Sequence, residues 1–108
     1  MLNQAVLVGR LVRDPELRET ESGKKVTNIT LAVTRSFKNL EGEYETDFID
    51  CVLWKGIAES TVEYCKKGDI IGIKGRIQSR VFEDGENNKK YTTEVVAEKV
   101  TFLSSGKK

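Results

Sequence analysis

Apolar and polar residues alternate with period two along most of this chain, and the alternation breaks once. Ala5 to Val12 is nearly continuous in apolar residues apart from Gly9 and Arg10. Lys25 to Phe37 places Ile29, Leu31 and Val33 on one side, Thr46 to Trp54 repeats the pattern, and Ile70 to Phe82 and Tyr91 to Leu103 continue it. Strand side chains point to opposite faces in turn, so each stretch reads as a half-buried strand. Between the third and fourth stretches the period changes. Ile57, Ala58, Thr61, Val62 and Cys65 are spaced for one face of a helix, with Lys66 and Lys67 expected in its last turn and Gly68 as its cap. Gly9 inside the first stretch predicts a bend or bulge. Asp14-Pro15-Glu16, Glu21-Ser22-Gly23, the loop Asn39 to Glu45 and the run Glu83 to Asn88 supply the turns.

At 108 residues there is room for one domain. Five short strands with one helix between the third and fourth predict an all-β OB-fold, a five-stranded Greek-key barrel. The expected domain covers residues 1–104, with 105–108 as a short basic end. No apolar run approaches the roughly 18 residues of a membrane span, and Met1 to Gln4 lacks the layout of a signal peptide, so a cytoplasmic location is expected. Histidine is absent, and Cys51 and Cys65 are too few and too far apart for a redox pair or a cysteine zinc site. Nothing matches a nucleophile elbow, a phosphate-binding loop or a dinucleotide fingerprint. No catalysis, metal or cofactor is expected. Both cysteines fall on expected core faces and read as small hydrophobes.

Parity separates core from surface. In the third strand Ile49, Cys51 and Leu53 form the inner face, leaving Phe48, Asp50, Val52 and Trp54 outside. In the fourth, Ile71, Ile73 and Ile77 point inward, with Gly75 between. Lys74, Arg76, Gln78, Arg80 and Phe82 point outward with no acidic residue among them. Cations interleaved with exposed rings are what single-stranded nucleic acid needs, since phosphates take a cationic track and unpaired bases stack on flat side chains. Taken singly, each of these residues has a plainer reading. Phe48 or Trp54 could serve packing, and the Lys74, Arg76 and Arg80 face could be a solvated strand. Arg35 and Phe37 share parity with the core, so either a bulge reverses the face there or Phe37 is buried. Glu41, Glu43, Glu45, Asp47 and Asp50 form a run without a cation that reads as a solvated hairpin tip. Lys24-Lys25 and Lys89-Lys90 either extend the cationic track or solubilise their loops.

The segments Asn3 to Arg18, Asn28 to Val33, Phe48 to Trp54, and Tyr91 to Val95 with Phe102-Leu103 resemble the bacterial single-stranded DNA-binding proteins, in order and over essentially the whole chain. The resemblance implies an OB-fold, a homotetramer, and coating of single-stranded DNA without strong sequence preference in replication, recombination and repair. It implies stacking by Phe37, Phe48, Trp54 and Phe82, which makes Phe37 exposed. It implies phosphate contacts by Arg10, Arg35, Lys55, Lys74, Arg76 and Arg80, and subunit pairing around Val6 and Val8. Some members carry histidine at an assembly contact where this chain has Ile49. Members usually continue into a flexible linker with an acidic tip, whereas this sequence ends Ser104-Ser105-Gly106-Lys107-Lys108, so tail-mediated protein partners are not expected. The rival expectation is an OB-fold protein-interaction module accessory to replication restart, its aromatic face a protein interface.

Overall fold

The strands expected from the alternation are present in a computed structural model that describes residues 1–83, 85 and 88–104. In chain order the elements are β1 (Ala5–Leu11), β2 (Arg18–Glu19), β3 (Lys25–Lys38), β4 (Tyr44–Trp54), α1 (Lys55–Tyr64), β5 (Ile70–Glu83) and β6 (Lys89–Ser104). The sheet order is β1-β5-β6-β4-β3-β2, and a further β1–β3 pairing closes five of the strands into a barrel. All pairs are antiparallel except β4 with β6, which meet in parallel at Cys51–Val95 and Val52–Val96.

Closure depends on β1 serving two neighbours. Ala5 to Arg10 pair with β5, and Arg10 and Leu11 pair with β3. The handover from β5 to β3 falls at Arg10, next to Gly9. A Cβ there would sit 2.9 Å from the Ala32 carbonyl oxygen and 3.0 Å from Val33 Cγ2, so only glycine lets the two strands approach. The interior is narrow and aliphatic, filled by Leu11, Ile29, Leu31, Leu53, Ile71 and Ile73, with Ala58 of α1 plugging it. Each such side chain contributes about 1.5–3 kcal/mol by leaving water.

Three expectations from periodicity are corrected. The helix lies between the fourth and fifth strands, because β2, two residues paired with Val26 and Lys25, is too short to leave a periodic trace. The helix ends at Tyr64, and Lys66, Lys67 and Gly68 fall in the following turn. There Asp69 Oδ2 accepts the Lys66 N–H at 3.0 Å, and the Gly68 N–H donates to the Leu11 carbonyl at 2.9 Å. Parity also fails at two positions. Val52 is buried in a small second cluster with Val26 and Val96, on the opposite side of the sheet from the main core. Ile77 is 48% exposed, because β5 has left the barrel by that point and runs on with β6 as a projecting hairpin.

A second hairpin projects from β3 and β4. Its register slips between Thr34–Thr46 and Lys38–Tyr44, so Arg35, Ser36 and Phe37 oppose Glu45 alone. The two arms raise the radius of gyration to 15.4 Å, against about 13 Å for a compact chain of this length. The expected turn Glu83 to Asn88 falls partly, and the expected basic end 105–108 wholly, outside the described residues.

β5 meets β6 so closely at Gly75 that a Cβ would collide with the Val96 carbonyl oxygen. Gly75→Ala should therefore lower stability by about 2–3 kcal/mol in urea unfolding. Gly56→Ala, in the helix and facing open space, should raise it by up to about 1 kcal/mol.

Candidate nucleic-acid interface

All eight aromatic side chains of the chain stand on the surface: Phe37, Tyr44, Phe48, Trp54, Tyr64, Phe82, Tyr91 and Phe102. A barrel this narrow has no room for rings, yet eight exposed rings exceed what packing leaves over. Their placement follows from register. Opposed residues in a ladder share a face, which puts Arg10, Ala32 and Phe48 in one row across β1, β3 and β4. The next rows on that face are Thr30–Asp50, Asn28–Val52–Val96–Arg76, and Val26–Trp54. Trp54, 37% exposed, thus stands beside the buried Val26–Val52–Val96 cluster. The outer face of β4 carries Phe48 and Trp54 about 20 Å apart.

Two adjoining grooves follow this face. One, of about 480 Å³, runs past Arg13, Glu16, Arg18, Asn28, Thr30 and Asp50. The other, of about 360 Å³, is lined by Arg18, Asn28, Val52, Trp54, Gln78 and Arg80, among others. Arg18 and Asn28 line both. The structure thus brings Trp54 and Arg80 together. Phe48 and Arg76 share their face of the barrel, and Phe37 (82% exposed) and Phe82 stand on the two arms. It does not bring Lys74 to this groove. Lys74 opposes Val6 and Lys99 and lines a different, shallow groove with Val8, Gly72, Thr101 and Leu103. Sequence reading missed Arg13, in the connection after β1, and Arg18, in the two-residue strand β2, where no periodicity points. It also missed Tyr44 and Tyr91, exposed on the arms.

The cations are less free than the fourth-strand face implied. Arg76 donates to Glu98 Oε2 at 3.2 Å and Arg80 lies 3.6 Å from Glu94 Oε1, both carboxylates coming from the neighbouring strand β6. Arg35 is held at both ends. Nε and Nη2 donate to the two oxygens of Asp47 at 3.0 and 2.9 Å, and Nη1 donates to Glu45 Oε1 at 3.0 Å. The Arg35 hydrogen bond holds the Asp47 carboxyl below its usual range, and the same contact raises the guanidinium. Arg10 Nη1 donates to the Gly68 carbonyl at 2.8 Å. Among the described residues, Lys55 and Lys74 have no such partner. Lys55 opens α1 with φ of 57°, a left-handed conformation that costs a non-glycine residue about 1–2 kcal/mol. Strain of this kind collects at functional sites.

The acidic run divides. Glu45 and Asp47 neutralise Arg35. Asp50 accepts from Thr30 Oγ1 at 2.9 Å inside the first groove, and Glu41 and Glu43 remain on the exposed hairpin tip. Ile49 packs against the core. Among the described residues no group of histidine, cysteine and carboxylate side chains is placed to hold a metal, and no helix is long and apolar enough to cross a membrane.

The model of the single-strand binding protein family matches residues 2–103. This chain belongs to that family. It is 52% identical over 103 residues to single-stranded DNA-binding protein B of Bacillus subtilis, covering 95% of this chain and 91% of that one. It is 54% identical to the single-stranded DNA-binding protein of Halalkalibacterium halodurans, covering 95% of this chain but 61% of the relative. To single-stranded DNA-binding protein 1 of Lactococcus lactis it is 52% identical over 107 residues, covering 99% and 71%. The family binds and does not catalyse, so the chain is not an enzyme.

Cys51 and Cys65 are both buried. Burial pushes the Cys51 thiol up to about 12, with Asp50 and Glu94 adding to it, and burial with Asp69 pushes Cys65 up to about 11. Neither should react with a disulfide reagent in the folded protein near neutral pH, and both should do so once it is denatured. Because the unfolded thiols ionise near 9 and the folded ones do not, stability should be intact below that pH. It should fall as pH rises from about 9 towards 11 and 12. Thermal melts against pH read this directly.

Proposed function

We propose that the chain binds single-stranded DNA along the outer barrel face and the two arms, with residues 1–104 forming the binding domain. The observation that carries this reading is the exposure of every aromatic ring, with Phe48 and Trp54 on a groove-lined face that also carries Arg10, Arg76 and Arg80. Phe37, Phe48, Trp54 and Phe82 stack bases. Arg10, Arg35, Lys55, Arg76 and Arg80 follow the phosphates, and Lys74 flanks the path from the β1 side. Stacking needs no particular base, so binding is broad in sequence, and duplex DNA hides the faces that the rings require. Protection of single strands in replication, recombination and repair, in the cytoplasm, is the role that fits. The names of the relatives favour this over a protein-interaction module.

The chain works as a homotetramer in this reading. Supporting it, Val6 (72% exposed) and Val8 line an apolar groove with Leu103, and Ala5 to Gly9 pair on one side only among the described residues. A strand edge flanked by exposed valines is a surface that a second copy covers well.

Anisotropy of a labelled oligo-dT, with duplex DNA as the control, tests the assignment. Affinity should fall with salt, and the duplex should bind weakly. Phe48→Ala with Trp54→Ala should cost about 1–3 kcal/mol per ring lost, while the circular dichroism stays unchanged. A folded double variant with full affinity would overturn the stacking role. Asp47→Asn with Glu45→Gln releases Arg35 and should strengthen binding, steepening the salt dependence by about one phosphate contact. Weaker binding would mean that the two carboxylates position Arg35 and do not compete for it.

A further inference from the structure

Asp50 sits where a phosphate-binding surface has no use for a carboxylate. It projects from the outer face of β4 between Phe48 and Trp54, two residues or about 7 Å from Phe48. Its Oδ1 accepts from Thr30 Oγ1 at 2.9 Å, which fixes the group across the β3–β4 ladder and leaves Oδ2 with no protein donor among the described residues. The groove it lines, about 480 Å³, also presents Asn28 on the same wall, with Arg13, Asp14 and Glu16 from the segment after β1 and Arg18 of β2 completing it. Glu45, Asp47, Glu94 and Glu98 each face an arginine; Asp50 faces a threonine, and of the two other carboxylates lining this groove Asp14 accepts the Lys67 N–H at 2.7 Å and Glu16 stands on the segment after β1.

We infer that Asp50 reads the edge of a stacked base, favouring cytosine over thymine at this point of the strand. The inference rests on the single-stranded DNA reading above. A carboxylate only accepts hydrogen bonds, so it favours a base edge that offers an exocyclic amino group. Cytosine offers N4–H₂ where thymine offers the O4 acceptor, and an aspartate or glutamate accepting from cytosine N4 is a recurrent pairing. On single strands these edges are open while the ring stacks on an aromatic side chain. A base stacked on Phe48 brings its edge towards Asp50, and the arginines after β1 take the backbone. Adenine and guanine also carry amino groups, but the two pyrimidines have the same stacking area, so their ratio isolates the edge. Broad binding survives this bias, since one carboxylate acts at one position while the rings act on every base.

The test is the ratio of affinities for oligo-dC and oligo-dT of equal length, by anisotropy at about pH 8, where cytosine carries no proton. Wild type, Asp50→Ala and Asp50→Asn are compared at fixed salt; both substitutions are at an exposed side chain. Loss of the negative charge strengthens both strands alike and cancels in the ratio. Asp50→Ala should shift the ratio towards dT by about three- to tenfold, and Asp50→Asn less far in the same direction. An unchanged ratio in both variants, with dT binding intact, overturns the role of Asp50 and leaves the DNA-binding reading standing. A wild type that binds neither strand overturns both.

Discussion

The close approach of β1 to β3 at Gly9 governs the rest of the molecule. Because a backbone without Cβ lets the two strands approach there, β1 hands its pairing from β5 to β3 and the sheet closes. Closure at five strands fixes a narrow interior filled by leucine, isoleucine, valine, alanine and cysteine, and by no ring. The aromatic residues are thereby displaced outward, and the long strands β3 to β6 overrun the barrel as arms. Core and binding surface are two results of one geometric limit.

Much of this was legible in the sequence because parity is a physical rule wherever a strand has one wet and one dry face. It identified Leu53 and Ile73 as core and Phe48 and Trp54 as surface. It failed where that premise fails. At Ile77 both faces are wet because the strand has left the barrel, and at Val52 both faces are dry because Val26 and Val96 cover the outer one. Phe37 could not be decided by parity, since the register slip at Arg35 to Phe37 depends on what lies opposite. The same blindness hid Glu94 and Glu98. A strand read alone shows Arg76 and Arg80 as bare cations, and only the ladder reveals the carboxylates facing them.

Those facing carboxylates change how the surface should be understood. Exposed ion pairs contribute little to stability, so exchanging Glu98 or Asp47 for a phosphate is close to an even trade in direct contacts. What the exchange adds is the release of counterions from the nucleic acid, a term set by salt and not by sequence. In the proposed binding mode the paired arginines therefore steer and hold the backbone without making the protein a general polyanion binder, in keeping with a net charge of only +1.

The discriminating term must then come from the rings. A stack contributes about 1–3 kcal/mol per base and exists only where bases are unpaired. In the proposed binding mode four such contacts, spread over one barrel face and two arms, outweigh what the neutralised cations can add, and they vanish on a duplex. This ordering also explains why the arms matter although they bury little. Phe37 and Phe82 stand beyond the reach of the barrel face, and the β-hairpins carry them there at the cost of leaving Ile77 and Val81 in water. A chain selected only for stability would shorten those strands to the length of the barrel; one that must offer flat faces along an extended strand keeps them long.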